Sequence, residues 1–399
     1  MTNIPEIRIR GFTDVWEQRT ISDYGYFYYG KSAPKWSVSE DAVTPCIRYG
    51  ELYTKFKEKI DTVYSRTNIP PEQLKFSTGQ EVLVPRVGEV PLDFANCSWL
   101  SLPNVAIGEM ISVYNTEQNP LFVAIYFNTM LKYEFAEKVE GGNVSNLYYD
   151  RLLDIPVKFP SVTEQTQIAV IFDNLNSIIT NYRYKLKGLQ ELKKAYLQVM
   201  FPQVGERVPK VRFAGFEGDW VQRKLSEVSD YRNGKAHEQN ISDTGKYVVI
   251  NSKFVSTDGA VRKYTESQIE PMNIGEIAFV LSDVPNGRAI ARTYLVEVNG
   301  KYSLNQRIAG ITPHQYTDSY FLHLLINRNP YFLRFDDGVG QTNLSKLEVE
   351  NFIAYYPEKF EQATIGAFFH NIDTQIIANM TKIKFLTQLK EAYLRKMLV

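Results

Sequence analysis

Cysteine and histidine are scarce in this chain of 399 residues: Cys46 and Cys97 are its two thiols, and His237, His314, His323 and His370 its four imidazoles. Two thiols suit a reducing compartment, and the histidines form no H-x-x-x-H or comparable set, so no metal site is expected. No run approaches the ~18 apolar residues a membrane span requires. The opening MTNIPEIRIRG lacks the basic, apolar-cored pattern of a secretory leader, which makes the cytoplasm the expected location and a membrane partner unexpected. An excess of one charge is also missing, because 45 basic and 45 acidic residues cancel. Any nucleic-acid partner must therefore be argued from local charge. Catalytic signatures are absent too: no G-x-S-x-G elbow, H-E-x-x-H helix or carboxylate pair stands out. The motif nearest to an amino-methylase is Asn329-Pro330-Tyr331, one proline short, which reads as an ordinary helix interruption.

One motif runs against these absences. GYFYYGKS, residues 25–32, satisfies the phosphate-loop pattern with Gly25, Gly30, Lys31 and Ser32 in the fixed places. A phosphate cradle needs a tight glycine loop that opens a helix, whereas Tyr26, Phe27, Tyr28 and Tyr29 favour an extended strand. Pro34 and the aperiodic run after it predict no helix either.

The chain repeats itself. IPEIRIRGFTDVWEQRTIS (4–22) returns as VPKVRFAGFEGDWVQRKLS (208–226) at an offset of 204, with Pro5/Pro209, Arg8/Arg212, Gly11/Gly215, Phe12/Phe216, Trp16/Trp220, Gln18/Gln222, Arg19/Arg223 and Ser22/Ser226 identical. The copies also end alike at an offset of 197, where FPSVTEQTQIAVIFDNLNSII matches YPEKFEQATIGAFFHNIDTQI and LKKAYLQVMF matches LKEAYLRKML. GGNVSNL (141–147) corresponds to GQTNLSKL (340–347). Residues 40–135 and 240–330 share little, so one scaffold carries two different interiors. The second copy of the phosphate-loop pattern, SDYRNGKA, keeps only Gly234 and Lys235; a magnesium ligand would need the lost hydroxyl.

Each copy closes on a predicted long helix. Ser161 and Glu164 form a capping box, and an apolar stripe follows at Ile168, Ile171, Leu175, Ile178, Tyr182, Leu189, Leu192, Tyr196 and Val199, interrupted at Lys185. The second stripe runs through Ile365, Phe368, Ile372, Ile376, Met380, Ile383, Leu386, Leu389, Tyr393 and Met397. Helices of this length, ~55 Å, with one apolar stripe need a partner, and each other in an antiparallel pair is the simplest. Gly188 marks a close contact or a bend. The expected fold class is α/β (α+β): globular heads at 1–160 and 204–358, long helices at 161–203 and 359–399, and a linker around 201–212. Helical segments are expected at 121–139 and 318–335.

Basic character is local. RYGELYTKFKEK (48–59) interleaves Arg48, Lys55, Lys57 and Lys59 with Tyr49, Tyr53 and Phe56, which suits phosphate and base-edge contacts and equally suits a solvated amphipathic strand. Residues 181–198 and 381–398 each hold five Lys/Arg against one Glu, consistent with a helix dipole or with a contact to partner or DNA.

The duplicated P-x-[IV]-R-[IF]-x-G-F…W opening, the P-x-x-x-E-Q-x-x-I start of each helix (Pro160, Glu164, Gln165, Ile168; Pro357, Glu361, Gln362, Ile365), the LK[KE]AYL ending and TPCIRYGELYT resemble the specificity subunit of type I restriction–modification systems. The resemblance covers essentially the whole chain. It implies two target recognition domains, each reading one half of a bipartite, asymmetric site in double-stranded DNA, and a helix pair that spaces them and docks two methyltransferase subunits and, beyond those, restriction and translocase subunits. It implies no cofactor in this chain; S-adenosylmethionine, ATP and Mg2+ serve the partners. Lys31, Arg48, Tyr49, Lys55, Lys57, Arg86, Lys235, Lys253, Arg288 and Gln341 are the candidate DNA contacts. Ile168, Ile171, Leu175, Leu189, Leu192, Tyr196, Ile365, Phe368, Ile372, Leu386, Leu389 and Tyr393 are the candidate helix-pair and docking residues. A coiled-coil adaptor that does not read DNA is the alternative.

Overall fold

A computed structural model describes residues 4–399 except Ser32, Asn143 and Val204, and only the backbone of Glu238. Ser32 of the phosphate-loop pattern and Asn143 of GGNVSNL thus lie outside the described residues. The chain divides into two units, residues 1–183 with 381–399, and residues 184–380.

In the first unit the tyrosine-rich run is the strand Gly25–Tyr29. It edges an otherwise antiparallel five-stranded sheet in the order Gly25–Tyr29, Ile111–Thr116, Glu81–Pro85, Ser98–Leu100, Lys59–Ile60, in which the last pairing is parallel. A smaller sheet orders Ser65–Thr67, Thr44–Ile47 and Ala106–Ile107. The helix Pro120–Met130 is buried along most of its length and fills the core with Phe122, Phe127, Trp16 and Phe159. In the second unit Ser229–Asn233 pairs with Ile308–Pro313 in the same way, followed by Ile277–Val280 and Thr293–Leu295. A second sheet orders Tyr264–Thr265, Tyr247–Ile250, Tyr302–Leu304 and Pro271–Met272. Two interiors without shared sequence thus begin and end on equivalent strands.

The segment 48–54 is not a strand. Tyr49–Thr54 is a helix whose Glu51 and Leu52 are buried, because Glu51 is anchored by Ser65 Oγ at 2.8 Å and by the Arg48 backbone N–H at 2.9 Å. The predicted helix at 318–335 is broken into Ser319–Ile326 and Pro330–Leu333, with Arg328 at φ +54° between them. Likewise 121–139 divides into Pro120–Met130 and Lys132–Glu137.

The shared frame is a clamp at the start of each long helix. In the first unit Glu17–Thr20 pairs with Pro156–Phe159, which leads into the helix Val162–Val199. Arg8 grips Glu164 with two hydrogen bonds of 2.8 Å. Gln165, fully buried, accepts from the Asn119 backbone N–H at 3.0 Å and donates to the Pro160 carbonyl at 2.9 Å. The second unit repeats every contact: Val221–Lys224 with Ile353–Tyr356, Arg212 with Glu361 at 2.6 and 2.7 Å, and Gln362 with Asp318 and Pro357 at 3.0 and 2.8 Å. The E-Q dipeptide is therefore an anchor. Only half of the expected capping box forms, with the Glu164 N–H reaching Ser161 Oγ at 3.4 Å, because Arg8 takes the Glu164 carboxylate.

That anchor also sets which face of each helix turns inward. With Gln165 buried, Phe172, Ile179, Leu186 and Lys193 continue its face and alternate with the predicted Ile168, Leu175, Leu189 and Tyr196, so only every other position of the predicted stripe is displaced by one residue. Ile178 and Leu192 are exposed, at 42% and 43%. Lys185 is exposed and off the seam; the polar break is Lys193. The pairing is antiparallel within each unit: Ile168 and Phe172 share a core with Tyr393, Met397 and Leu398, and Tyr196 and Met200 share one with Ile365, Phe368 and Ile372 of the helix Lys359–Met397.

Gly188 lies inside a continuous helix, and a Cβ there meets nothing within 4 Å. It marks no close contact, and the helix runs through it without a break. Gly188→Ala is therefore expected to stabilise the protein by about 0.8–1 kcal/mol, read as a raised midpoint in urea unfolding.

Candidate nucleic-acid interface

The Gly-Lys that survives in both copies of the phosphate-loop pattern sits where a strand passes another chain segment at close range. A Cβ on Gly30 would lie 2.1 Å from the Gly108 carbonyl oxygen, and one on Gly234 would lie 2.1 Å from that of Asn305. Only glycine fits. The Lys31 backbone N–H donates to the Ile107 carbonyl at 2.9 Å and that of Lys235 to Leu304 at 3.1 Å. These amides are spent on protein carbonyls and no helix follows, so the nucleotide-binding geometry is absent among the described residues.

In the first head this crossing gathers several candidate residues. The Gly108 N–H donates to the Ile47 carbonyl at 2.9 Å and the Arg86 N–H to Met110 at 3.2 Å, which brings three chain segments to one rim. They surround a cavity of about 230 Å3 lined by Arg48, Tyr49, Lys35, Pro34 and Glu109 among others. Arg86 lies beside it, its guanidinium 4.4 Å from the centre of the Tyr29 ring and 5.4 Å from that of Tyr148. Among the described residues no carboxylate pairs with Lys31, Lys35 or Arg48. Unpaired cations beside aromatic faces suit phosphate and base contacts.

Two lysines from the same basic segment do different work. Lys55 pairs with Glu51 at 3.1 Å and lies over the Tyr64 ring. Lys57 faces Arg183 and Lys390; burial first, and these like charges with it, push its pKa down. Both are exposed, Lys55 with its charge paired and Lys57 with no carboxylate paired to it among the described residues.

The second head is built differently. Lys235 donates to Glu270 at 2.8 Å, and Arg232 bridges Glu270 and Glu276 at 3.1 and 2.6 Å. The hydrogen bond from Lys235 holds the Glu270 carboxyl below its ordinary range. Lys235 is thus neutralised, unlike Lys31. Arg288 and Gln341 lie on two loops joined at Ser282: Gln341 Nε2 donates to Ser282 Oγ at 2.6 Å, Ser282 pairs with Asn343, and Asn286 Nδ2 reaches the Gly338 carbonyl at 3.4 Å. Arg288 is exposed. Lys253 is exposed on the short helix Ser252–Ser256.

Of the candidate helix-pair residues, Ile168, Ile365, Ile372 and Leu386 are buried. Ile171, Leu175, Leu189, Tyr196, Phe368, Leu389 and Tyr393 are half-buried, and Leu192 points outward. The seam also holds polar bonds that apolar periodicity did not disclose. Lys193 meets Asp373 at 2.6 Å, and the Tyr320 hydroxyl donates to the same carboxylate at 2.6 Å. At the 197-residue offset, Lys390 meets Asn176 at 2.8 Å. The first head supplies Glu58 to that lysine, also at 2.6 Å.

Residues 217–388 match the family described as the type I restriction modification DNA specificity domain. That segment carries the specificity domain of this family. The match lies on the second repeat, and the duplicated frame extends the same plan to the first. A curated relative, the type I restriction enzyme MjaVIII specificity subunit of Methanocaldococcus jannaschii, is 22% identical over 227 residues, which cover 55% of this chain and 50% of that subunit. The matched segment thus spans about half the length of that relative. The specificity-domain fold is shared with a crystal structure of a type I restriction-modification S subunit from M. genitalium, at TM-score 0.69 and 14% identity over 99% of both chains. A chain from a structure concerned with complex assembly and conformational transition of the type I R-M system gives TM-score 0.51 at 14% identity, covering 96% of this chain and 97% of that one. No group of three or more metal-ligating side chains occurs among the described residues, and no helix among them is long and apolar enough to cross a membrane.

Proposed function

We propose that this chain is the DNA-reading and assembly subunit of a type I restriction–modification complex. Each head reads one half of a bipartite, asymmetric site in duplex DNA. The long helices set the separation of the half-sites and dock two methyltransferase subunits and, through them, restriction subunits. The chain performs no chemistry itself; S-adenosylmethionine, ATP and Mg2+ act in the partners, and the complex works in the cytoplasm. The observation that carries this reading is the duplicated clamp around two unlike heads. A repeated scaffold offers two equal docking sites to one partner type, while two unlike reading surfaces select two unlike sequences. The face with unpaired Lys31 and Arg48 next to Arg86 supports phosphate and base contact in the first head.

Exchanging residues 20–155 for those of a relative with a different target, then mapping methylated adenines in cells that carry the partner subunits, tests it. The expected result is a site in which one half changes and the other half and the spacing are retained. Unchanged methylation, or a change in both halves, would rule the modular reading out.

A further inference from the structure

Trp36 stands in water where the other three tryptophans do not. It is 80% exposed, whereas Trp16 and Trp220 are 1% and 3% exposed in the two frames, and Trp99 is half-buried with its indole N–H on the Gly79 carbonyl at 2.9 Å. The exposure does not come from a loose loop. Trp36 lies in the 3-10 turn Lys35–Ser37, and both flanks of that turn are fixed: Ala33 and Ser37 are buried, the Ser37 N–H donates to the Pro34 carbonyl at 3.0 Å, and the Asn68 N–H donates to the Ser37 carbonyl at 3.0 Å. Ser37 Oγ also meets Thr67 Oγ1 at 2.8 Å. A large flat apolar ring is therefore held out rigidly from buried neighbours, with no ring stacked on it among the described residues.

What surrounds the ring narrows its occupant. Lys35, adjacent in the chain, lines the cavity shared by Arg48 and Tyr49. A flat apolar face whose chain neighbour Lys35 is an unpaired cation on that cavity matches one ligand chemistry, a nucleobase with its phosphate, because bases stack on aromatic faces while Lys and Arg hold the backbone. The equivalent turn of the second head, Glu238–Asn240, carries Asn240 at the position 204 residues on and no aromatic residue. We infer that Trp36 is a base-stacking wedge of the first head, which unstacks one base of its half-site, and that the second head reads its half-site without such a wedge. This rests on the proposed DNA-reading function.

Trp36 also reports on itself, since it is the exposed indole of the chain. The full chain in complex with its methyltransferase subunits is titrated with a duplex carrying the mapped site and with one in which the first half-site is scrambled. The expected result is quenching of the red-edge tryptophan emission by the site-bearing duplex, much weaker quenching by the scrambled one, and loss of the response in Trp36→Phe. Trp36→Ala should weaken binding of the site-bearing duplex by about 5- to 150-fold and leave the scrambled duplex nearly unaffected, while Trp36→Phe retains most of the affinity. Selection of the site with normal affinity by Trp36→Ala, or quenching by the methyltransferase subunits alone and not by DNA, overturns the wedge. A wild-type complex that prefers neither duplex overturns the DNA-reading function as well.

Discussion

Arg8→Ala is expected to cost about 3–5 kcal/mol of folding stability, enough to lower the thermal midpoint by roughly 10 °C for a unit of this size. Glu164 is only 1% exposed and both of its oxygens are held by Arg8. Removing the guanidinium strands an ionised carboxylate in a place water hardly reaches. Arg8→Lys should recover only part of the loss, because an ammonium cannot hold both oxygens in the same plane. Arg212→Ala should behave alike, with Glu361 stranded at 2% exposure and the carbonyls of Glu217 and Gly218 losing their donors as well. Urea unfolding followed by circular dichroism checks both. A loss below about 1 kcal/mol would mean that the clamp is worth no more than a surface ion pair.

Glu58→Ala is expected to cost about 3 kcal/mol, and its partner in rescue is written in the other repeat. Lys390 sits in the helix seam and needs an anion. Its counterpart Lys193 finds one on the facing helix in Asp373, but the residue equivalent to Asp373 is Asn176, so the first head provides Glu58 instead. Asn176→Asp should therefore recover at least half of the loss in the Glu58→Ala background. In the unmutated protein the same change should destabilise, because it sets a second carboxylate beside Glu58, whose Oε2 lies 3.4 Å from Asn176 Nδ2. Opposite signs of one substitution in two backgrounds would be hard to obtain any other way. The pair also leaves a mark on pH dependence. Burial alone would raise the Glu58 pKa, but the nearby charge and hydrogen bond of Lys390 outweigh it and hold the carboxyl below its ordinary range. Its contribution is thus present above the unfolded value near 4.3 and is lost as pH falls through the folded one. Glu58→Gln should flatten the acid limb of the stability profile.

The frame was legible in the sequence because duplication supplies an internal comparison. Arg8/Arg212, Glu164/Glu361 and Gln165/Gln362 recur together, and the structure joins them. Half of the helix seam, Ile168, Leu175, Leu189 and Tyr196, follows from the apolar period; the alternate positions fall one residue on, at Phe172 and Ile179, since period alone does not fix which face of a helix turns inward and Gln165, bonded to Asn119 and Pro160, does. Lys390 and Glu58 are 332 residues apart, and no local pattern connects them. In the heads, basic composition singles out Arg48 together with Lys55 and Lys57, yet only ion pairing distinguishes a lysine spent on Glu51 from an arginine left open. Nothing in the sequence sets Trp36 apart from Trp16, because an exposed and a buried indole are the same letter.

The way the helices divide between the units also orders their synthesis. Everything in the second unit has been synthesised by Met380, but the first unit includes residues 381–399. Met397 and Leu398 belong to its core, and the Tyr126 hydroxyl donates to the Val399 carbonyl at 2.8 Å. At 5–20 residues per second, the head made first waits roughly 10–40 s after Arg183 for its missing piece, and the head made second finishes before it. During that interval the nascent first head carries an uncovered apolar face, and a chain that stops before Met397 would be damaged in the unit built mainly from residues 1–183.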